Sequence, residues 1–190
     1  VHHRVGDRCS GRLDALGLHA ATCLVGGNRT ATHNGQRDLW AQQLPSAGFA
    51  VHREQHVPGW DRWVRRANGG WARQRAVLDL RVEAPPDAPV TYLDVKVTHP
   101  CSATYVAGAA GENGFAAQKA EDDKHARYPA NTPGVSGRLV PLVVETYGRW
   151  GKEGLRFLKK AAARTARRTS ALAVLGGGGP PAGCNASLSR

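Results

Sequence analysis

The 190 residues, 41% of them hydrophobic, suffice for one folded body with a real core, and no run approaches the length of a membrane span. A formal charge of +11 at pH 7 points to an anionic partner, nucleic acid before membrane. Four cysteines are too few for a disulfide scaffold, which points to an intracellular protein, and the absence of Met reads as a piece of a longer chain.

Residues 1–33 are rich in His, Cys, Gly and Arg and poor in large apolar side chains, the composition of a small metal-stapled unit. Asn34 is placed to cap a helix running to about Ala47, with Leu39, Trp40 and Leu44 on its apolar side and Gly48 just past its end. Residues 49–57 alternate as a first strand. Residues 58–75 set Trp60, Trp63 and Trp71 among Arg62, Arg65, Arg66, Arg73 and Arg75, and predict a long hairpin or flap. VLDLRVE (77–83) is a second strand, the proline-rich stretch 84–89 a turn, and VTYLDVKV (90–97) a third strand that Pro100 ends. A Gly-rich loop precedes a polar helix over about 112–128. Residues 138–145 form a fourth strand. A basic helix over about 152–175 repeats Leu155, Leu158 and Ala162 at helical spacing. Residues 176–190 are low-complexity and read as a disordered tail. The order predicts an α/β domain over 34–175, with three strands in a meander and a helix crossing over to the fourth.

Strand side chains alternate faces, so Asp79 shares a face with Val77 and Arg81, and Asp94 shares one with Tyr92 and Lys96. Pairing across the 84–89 turn brings Asp79 near Asp94. Adjacent carboxylates repel unless a cation lies between them, and a hard divalent ion with oxygen ligands suits that place. Lys96 beside it could orient a water or stabilise a phosphate in flight.

A carboxylate strand followed by D-x-K, in an αβββαβ order, resembles the PD-(D/E)XK, or restriction-endonuclease-like, nuclease fold. By that resemblance Asp79 stands for the first motif Asp, with Leu78 replacing the usual Pro, and Asp94 and Lys96 form the (D/E)xK pair. Glu54 stands for an additional upstream acid, on a strand here. In wider context CSGRLDALGLHAATC, HNGQRDLW, AGFAVHRE, LDVKVTHP, KHARY and PLVVETYGRWG are similar to the C-terminal region of non-LTR retrotransposon-type reverse-transcriptase polyproteins, over residues 9–160. There a Cys/His zinc knuckle precedes a restriction-like endonuclease. The resemblance implies a Mg²⁺- or Mn²⁺-dependent enzyme that nicks target DNA so that the new 3′-hydroxyl primes reverse transcription. It also implies a polymerase covalently linked upstream, and a nuclear location if the element is eukaryotic. The alternative is a catalytically degenerate copy that only binds nucleic acid, RNA remaining open beside DNA. A ribonuclease-H-like domain would need further acids and no D-x-K lysine, so Lys96 argues against it.

Cys9, His19, Cys23 and His33 are spaced C-x9-H-x3-C-x9-H, and the H-x3-C step suits two zinc ligands one helical turn apart. The family knuckle opens with C-x2-C, whereas Gly6 stands where the first Cys belongs. His33, His2 or His3 would then supply the fourth ligand. A loose Cys/His-bearing loop is the plainer reading, and Cys101 and Cys184 lack partners at useful spacing. The resemblance also implies that a Gln or Lys of the polar helix nears the scissile phosphate, which makes Lys119 and Lys124, with Gln118 and Tyr128 nearby, candidate phosphate contacts; a solvated helix face is the alternative. Lys159 and Lys160 on the last helix, and Arg62, Arg65 and Arg66 on the hairpin, suit a nucleic-acid backbone, and the tryptophans suit base stacking. Glu145 reads as an acid bonded to backbone, and His99 as a turn residue before Pro100.

Overall fold

The computed structural model describes residues 9–12, 14, 15, 17–23, 25–84 and 89–176. His2, His3, Gly6, Cys184, most of the 84–89 turn and nearly all of the 176–190 tail lie outside them. Four strands form one mixed sheet: β1 (Ala50–His56), β4 (Val77–Glu83), β5 (Thr91–Thr98) and β6 (Arg138–Glu145), in the order β1-β4-β5-β6. The first three pair antiparallel, and β6 lies parallel to β5 after a helical crossover. The intervening β2 (Arg62–Arg65) and β3 (Trp71–Gln74) pair only with each other, as a separate ribbon.

Alternation along the strands divides the interior in two. Leu80, Val82, Leu93, Val95, Val140 and Leu142 meet Leu44, Ala47, Phe157 and Ala161 on one side of the sheet. These last two lie on α5 (Lys152–Gly176), and Leu44 follows α2 (Asn28–Gln43) directly. On the other side Val143 packs against Ala117 and Ala120 of α4 (Phe115–Arg127). A third cluster joins Trp60, Leu78, Tyr92, Tyr128 and Leu139. No helix among the described residues is long and apolar enough to cross a membrane.

Four sequence expectations are corrected. The first long helix begins at Asn28, not Asn34, entered through Gly27 at φ 74°, without a side-chain cap. Its extra turns bring His33 against the sheet, a tertiary contact that local cap preference does not register. The helix therefore runs through the 33/34 join. The polar helix begins at Phe115, because Gly114 at φ 83° breaks it from a short α3 (Val106–Gly111) in the stretch read as a loop. The buried side of α5 is Gly154, Phe157 and Ala161, while Leu155 is 38% exposed and Ala162 is exposed. Gly154 lets the helix approach strand backbone: a Cβ there would lie 3.1 Å from the Pro141 carbonyl oxygen. Likewise Leu39 of α2 faces outward, and Trp40 alone of that pair packs on the core.

Two buried acids serve the frame. Glu145 accepts the Ala117 N–H at 3.0 Å, in line with its expected backbone role. Glu121 Oε1 accepts the N–H groups of Glu153 and Gly154 at the start of α5, satisfying donors a helix leaves unpaired.

Candidate functional site

The β4–β5 ladder runs through Val82↔Thr91, Arg81↔Tyr92 and Leu80↔Leu93, then stops. The next residues on each strand are Asp79 and Asp94. Here the strands part, and the Asp79 carboxylate fills the gap by accepting the Val95 N–H at 2.7 Å through Oδ2. The two carboxyl groups are close enough to act on each other's ionisation. This is the juxtaposition that strand alternation predicts for the two aspartates.

Cations from two helices close on the pair. His33 Nε2 of α2 lies 2.9 Å from Asp79 Oδ1, and Lys124 Nζ of α4 lies 2.5 Å from Asp94 Oδ2. Lys96 follows Asp94 on the same face, its ammonium donating to the Tyr105 hydroxyl at 3.4 Å. Burial pushes the Asp94 carboxyl up to about 6, with Asp79 adding to the rise and Lys124 opposing it. Burial works the same way on Asp79, but the bonds from His33, Asp94 and the Val95 amide outweigh it and hold its pKa below the ordinary value. The Asp79 hydrogen bond in turn raises His33 above its ordinary value against the cost of burial. Below about pH 6 the pair thus keeps one proton, on Asp94, with His33 and Lys124 flanking it. Asp94, Lys96, Lys124 and His33 line a cleft of about 890 Å³, which extends past Thr98 and His99 to the start of α2.

Glu54 does not join this group. It lies between the Arg53↔Leu80 and Gln55↔Leu78 pairs, so it faces Asp79 across the β1–β4 register. Its φ of 53° is uncommon for a residue with a Cβ. Its carboxylate is 66% exposed and bound to Arg37 Nη1 at 2.7 Å. Lys119 pairs with Asp123 at 3.7 Å on an exposed face of α4, away from the acids. Gln118 bonds Asp122 on the same helix. His99 is buried and its Nδ1 contacts Thr146 Oγ1 at 2.6 Å. Lys159 and Lys160 are exposed on α5. Sequence reasoning gave Lys124 as a phosphate contact and His33 as a zinc ligand or a residue that caps or packs the next helix, and linked neither to the acids. The i,i+4 pair Lys124–Tyr128 was the one local signal for the first; none existed for the second.

Three of the four Cys/His candidates do come together. His19 lies on α1 (Leu18–Thr22) and Cys23 caps its end, one turn on, with Cys23 N–H donating to the His19 carbonyl. Cys9 Sγ is 3.0 Å from His19 Nε2 and 3.4 Å from Cys23 Sγ, and all three ligand atoms lie within 4.8 Å of one another. Soft sulfur and imidazole donors at such spacing suit a tetrahedral ion such as zinc. The Gly11 N–H donates to Cys9 Sγ, and a Cβ on Gly11 would lie 2.2 Å from the His19 ring and push it from its place beside Cys9. Asp14 receives the N–H groups of Leu18 and His19 and orients the short helix. His33 is absent from the group because α2 carries it to Asp79; a fourth ligand is not found among the described residues.

No protein-family description and no curated protein matches this chain.

Proposed function

We propose that this chain is a metal-dependent endonuclease domain of the restriction-endonuclease-like kind, which nicks DNA by phosphodiester hydrolysis. The observation that carries the reading is the meeting of Asp79 and Asp94 where β4 and β5 part, beside a cleft lined by Asp94, Lys96, Lys124 and His33. Two carboxylates held together cost energy unless positive charge shares their space. Carboxylate oxygens beside an open cleft with room for waters fit Mg²⁺ or Mn²⁺. When bound, such an ion supplies Lewis acidity towards a phosphate oxygen. Asp79 and Asp94 would hold it, Lys96 would orient the attacking water, and Lys124 and His33, freed from the carboxylates by the ion's charge, would face the phosphate. The element order and the Cys/His group are in keeping with a place downstream of a reverse transcriptase.

A second reading, a binding-only module, draws on one observation: His33 and Lys124 already neutralise the acids. Supercoiled-plasmid nicking by the purified chain, with and without Mg²⁺ or Mn²⁺, separates the two. Metal-dependent open circles support the nuclease; DNA binding without nicking supports the module.

The raised Asp94 pKa makes the nuclease pH-dependent. Below about 6 a proton occupies the carboxylate that the metal needs. At limiting Mg²⁺, nicking is expected to climb about tenfold per pH unit up to that point and then level off. Saturating Mg²⁺ should shift the midpoint down. A flat profile at limiting metal would exclude Asp94 as a ligand.

For the Cys9–His19–Cys23 group we propose structural zinc. About one zinc per chain is expected by elemental analysis of the protein, and none after Cys23→Ala. Equal zinc in both would reject the assignment.

A further inference from the structure

The β2–β3 ribbon carries surface chemistry that the acid pair does not use. Its register sets Trp63 opposite Arg73 and Arg65 opposite Trp71. Residues two apart on a strand share a face, so these four side chains form a checkerboard of indole and guanidinium on one side. Trp63 is 67% exposed and Trp71 66%, and neither stacks on another ring among the described residues. As diagonal neighbours the two tryptophans stand about 7 Å apart at their roots, the spacing of two rings with one flat base between them. The opposite face is different in kind: Val64 pairs with Ala72, both half-buried, and Arg62 is spent on Gln74 at 2.9 Å.

The ribbon is held at its root. Asp61 accepts the Ala76 N–H and contacts both His56 Nε2, at 3.0 Å, and Arg73 Nη2, at 2.9 Å. Trp60, 4% exposed, is packed under Tyr92 and Tyr128. Trp63 and Trp71 are therefore presented on a fixed base and do not contribute to the core.

We propose that this face is a stacking platform for unpaired bases of a single-stranded nucleic acid. Residues 62–75 contain five arginines and no acid, which suits a phosphate backbone. Indoles stack on any base whose face is free, and in a duplex those faces are already covered. A lipid surface is the other taker for exposed tryptophan and arginine, but a ribbon that inserts leads with an apolar tip. Here the tip is Arg66, Ala67, Asn68, Gly69 and Gly70. The proposal does not depend on the acid pair being catalytic.

The test is binding of the full chain, without added divalent metal, to labelled twelve-nucleotide oligo-dT and oligo-U and to the same oligo-dT annealed to oligo-dA. Anisotropy gives affinity, and quenching of tryptophan fluorescence reports stacking. Single strands should quench and bind more tightly than the duplex. Trp63→Ala and Trp71→Ala should each weaken single-strand binding about tenfold, leave duplex binding little changed and leave the melting temperature as it was. Preference for oligo-U would assign the strand to RNA and keep the platform. Three results would overturn it: single-strand affinity unchanged in the double variant, equal losses for single strand and duplex, or tryptophan-dependent binding to phosphatidylglycerol vesicles exceeding that to oligonucleotide. Asp94→Asn separates the two proposals, since it should keep single-strand binding whatever it does to nicking.

Discussion

Asp94→Asn is expected to abolish metal-dependent nicking while the chain stays folded. The change keeps the side chain's shape and removes its charge. Asp94 is only 5% exposed and is fixed beside Asp79, so a water from the cleft could fill the vacant place but would bring no negative charge to the ion. Loss of even an outer partner of a metal ligand typically costs about 10- to 100-fold, and loss of the ligand itself should exceed that. Stability should hold for a reason specific to this site. A carboxyl whose pKa is raised by folding, here to about 6, is destabilising when ionised at neutral pH, and the amide removes that burden. Lys124 can still donate to the amide oxygen. Plasmid nicking beside a thermal melt decides the matter: nicking at the native rate by a folded variant would remove the acid pair from the mechanism.

Trp60→Ala is expected to cost about 3–5 kcal/mol, or roughly 10 °C in melting temperature. The indole meets Tyr92 edge-on at 5.4 Å and Tyr128 at the same distance, tilted. Its N–H donates to the Pro129 carbonyl at 3.0 Å and the Thr132 hydroxyl at 3.1 Å, tying the ribbon's root to the loop after α4. Tyr92 lies two residues before Asp94 on one face, and Tyr128 one turn beyond Lys124. The cavity therefore opens beside the site, and nicking should fall with stability. A melting temperature within a degree or two of native would show that Trp60 is not the keystone described here. Trp63→Ala and Trp71→Ala are the contrast, each near neutral for stability.

Those three tryptophans mark a limit of sequence reading. All stand in one arginine-rich stretch, and nothing local tells the buried one from the exposed two. The difference arises because Trp60 belongs to a single helical turn, Pro58–Trp60, that folds back on the sheet before the ribbon begins. The acid pair was legible because period-two alternation and a short turn leave Asp79 and Asp94 little choice of face. His33 was not legible, because its partner lies 46 residues away and is reached only when α2 begins six residues earlier than its best cap suggests. The last helix misled for a simpler reason: Leu155 looks more buriable than Gly154, yet the helix approaches Pro141 and Leu142 so closely that even a Cβ at 154 would crowd strand backbone.

The bond from the Val95 amide to Asp79 Oδ2 gives the site a native reporter. An amide proton held by a carboxylate shifts its resonance with the charge it faces, and exchanges with solvent only when that bond opens. Val95 is 3% exposed, so solvent alone scarcely moves it. In an ¹⁵N-labelled sample this one backbone signal would follow proton, divalent ion and substrate at the acids in turn, with no dye attached and no side chain altered.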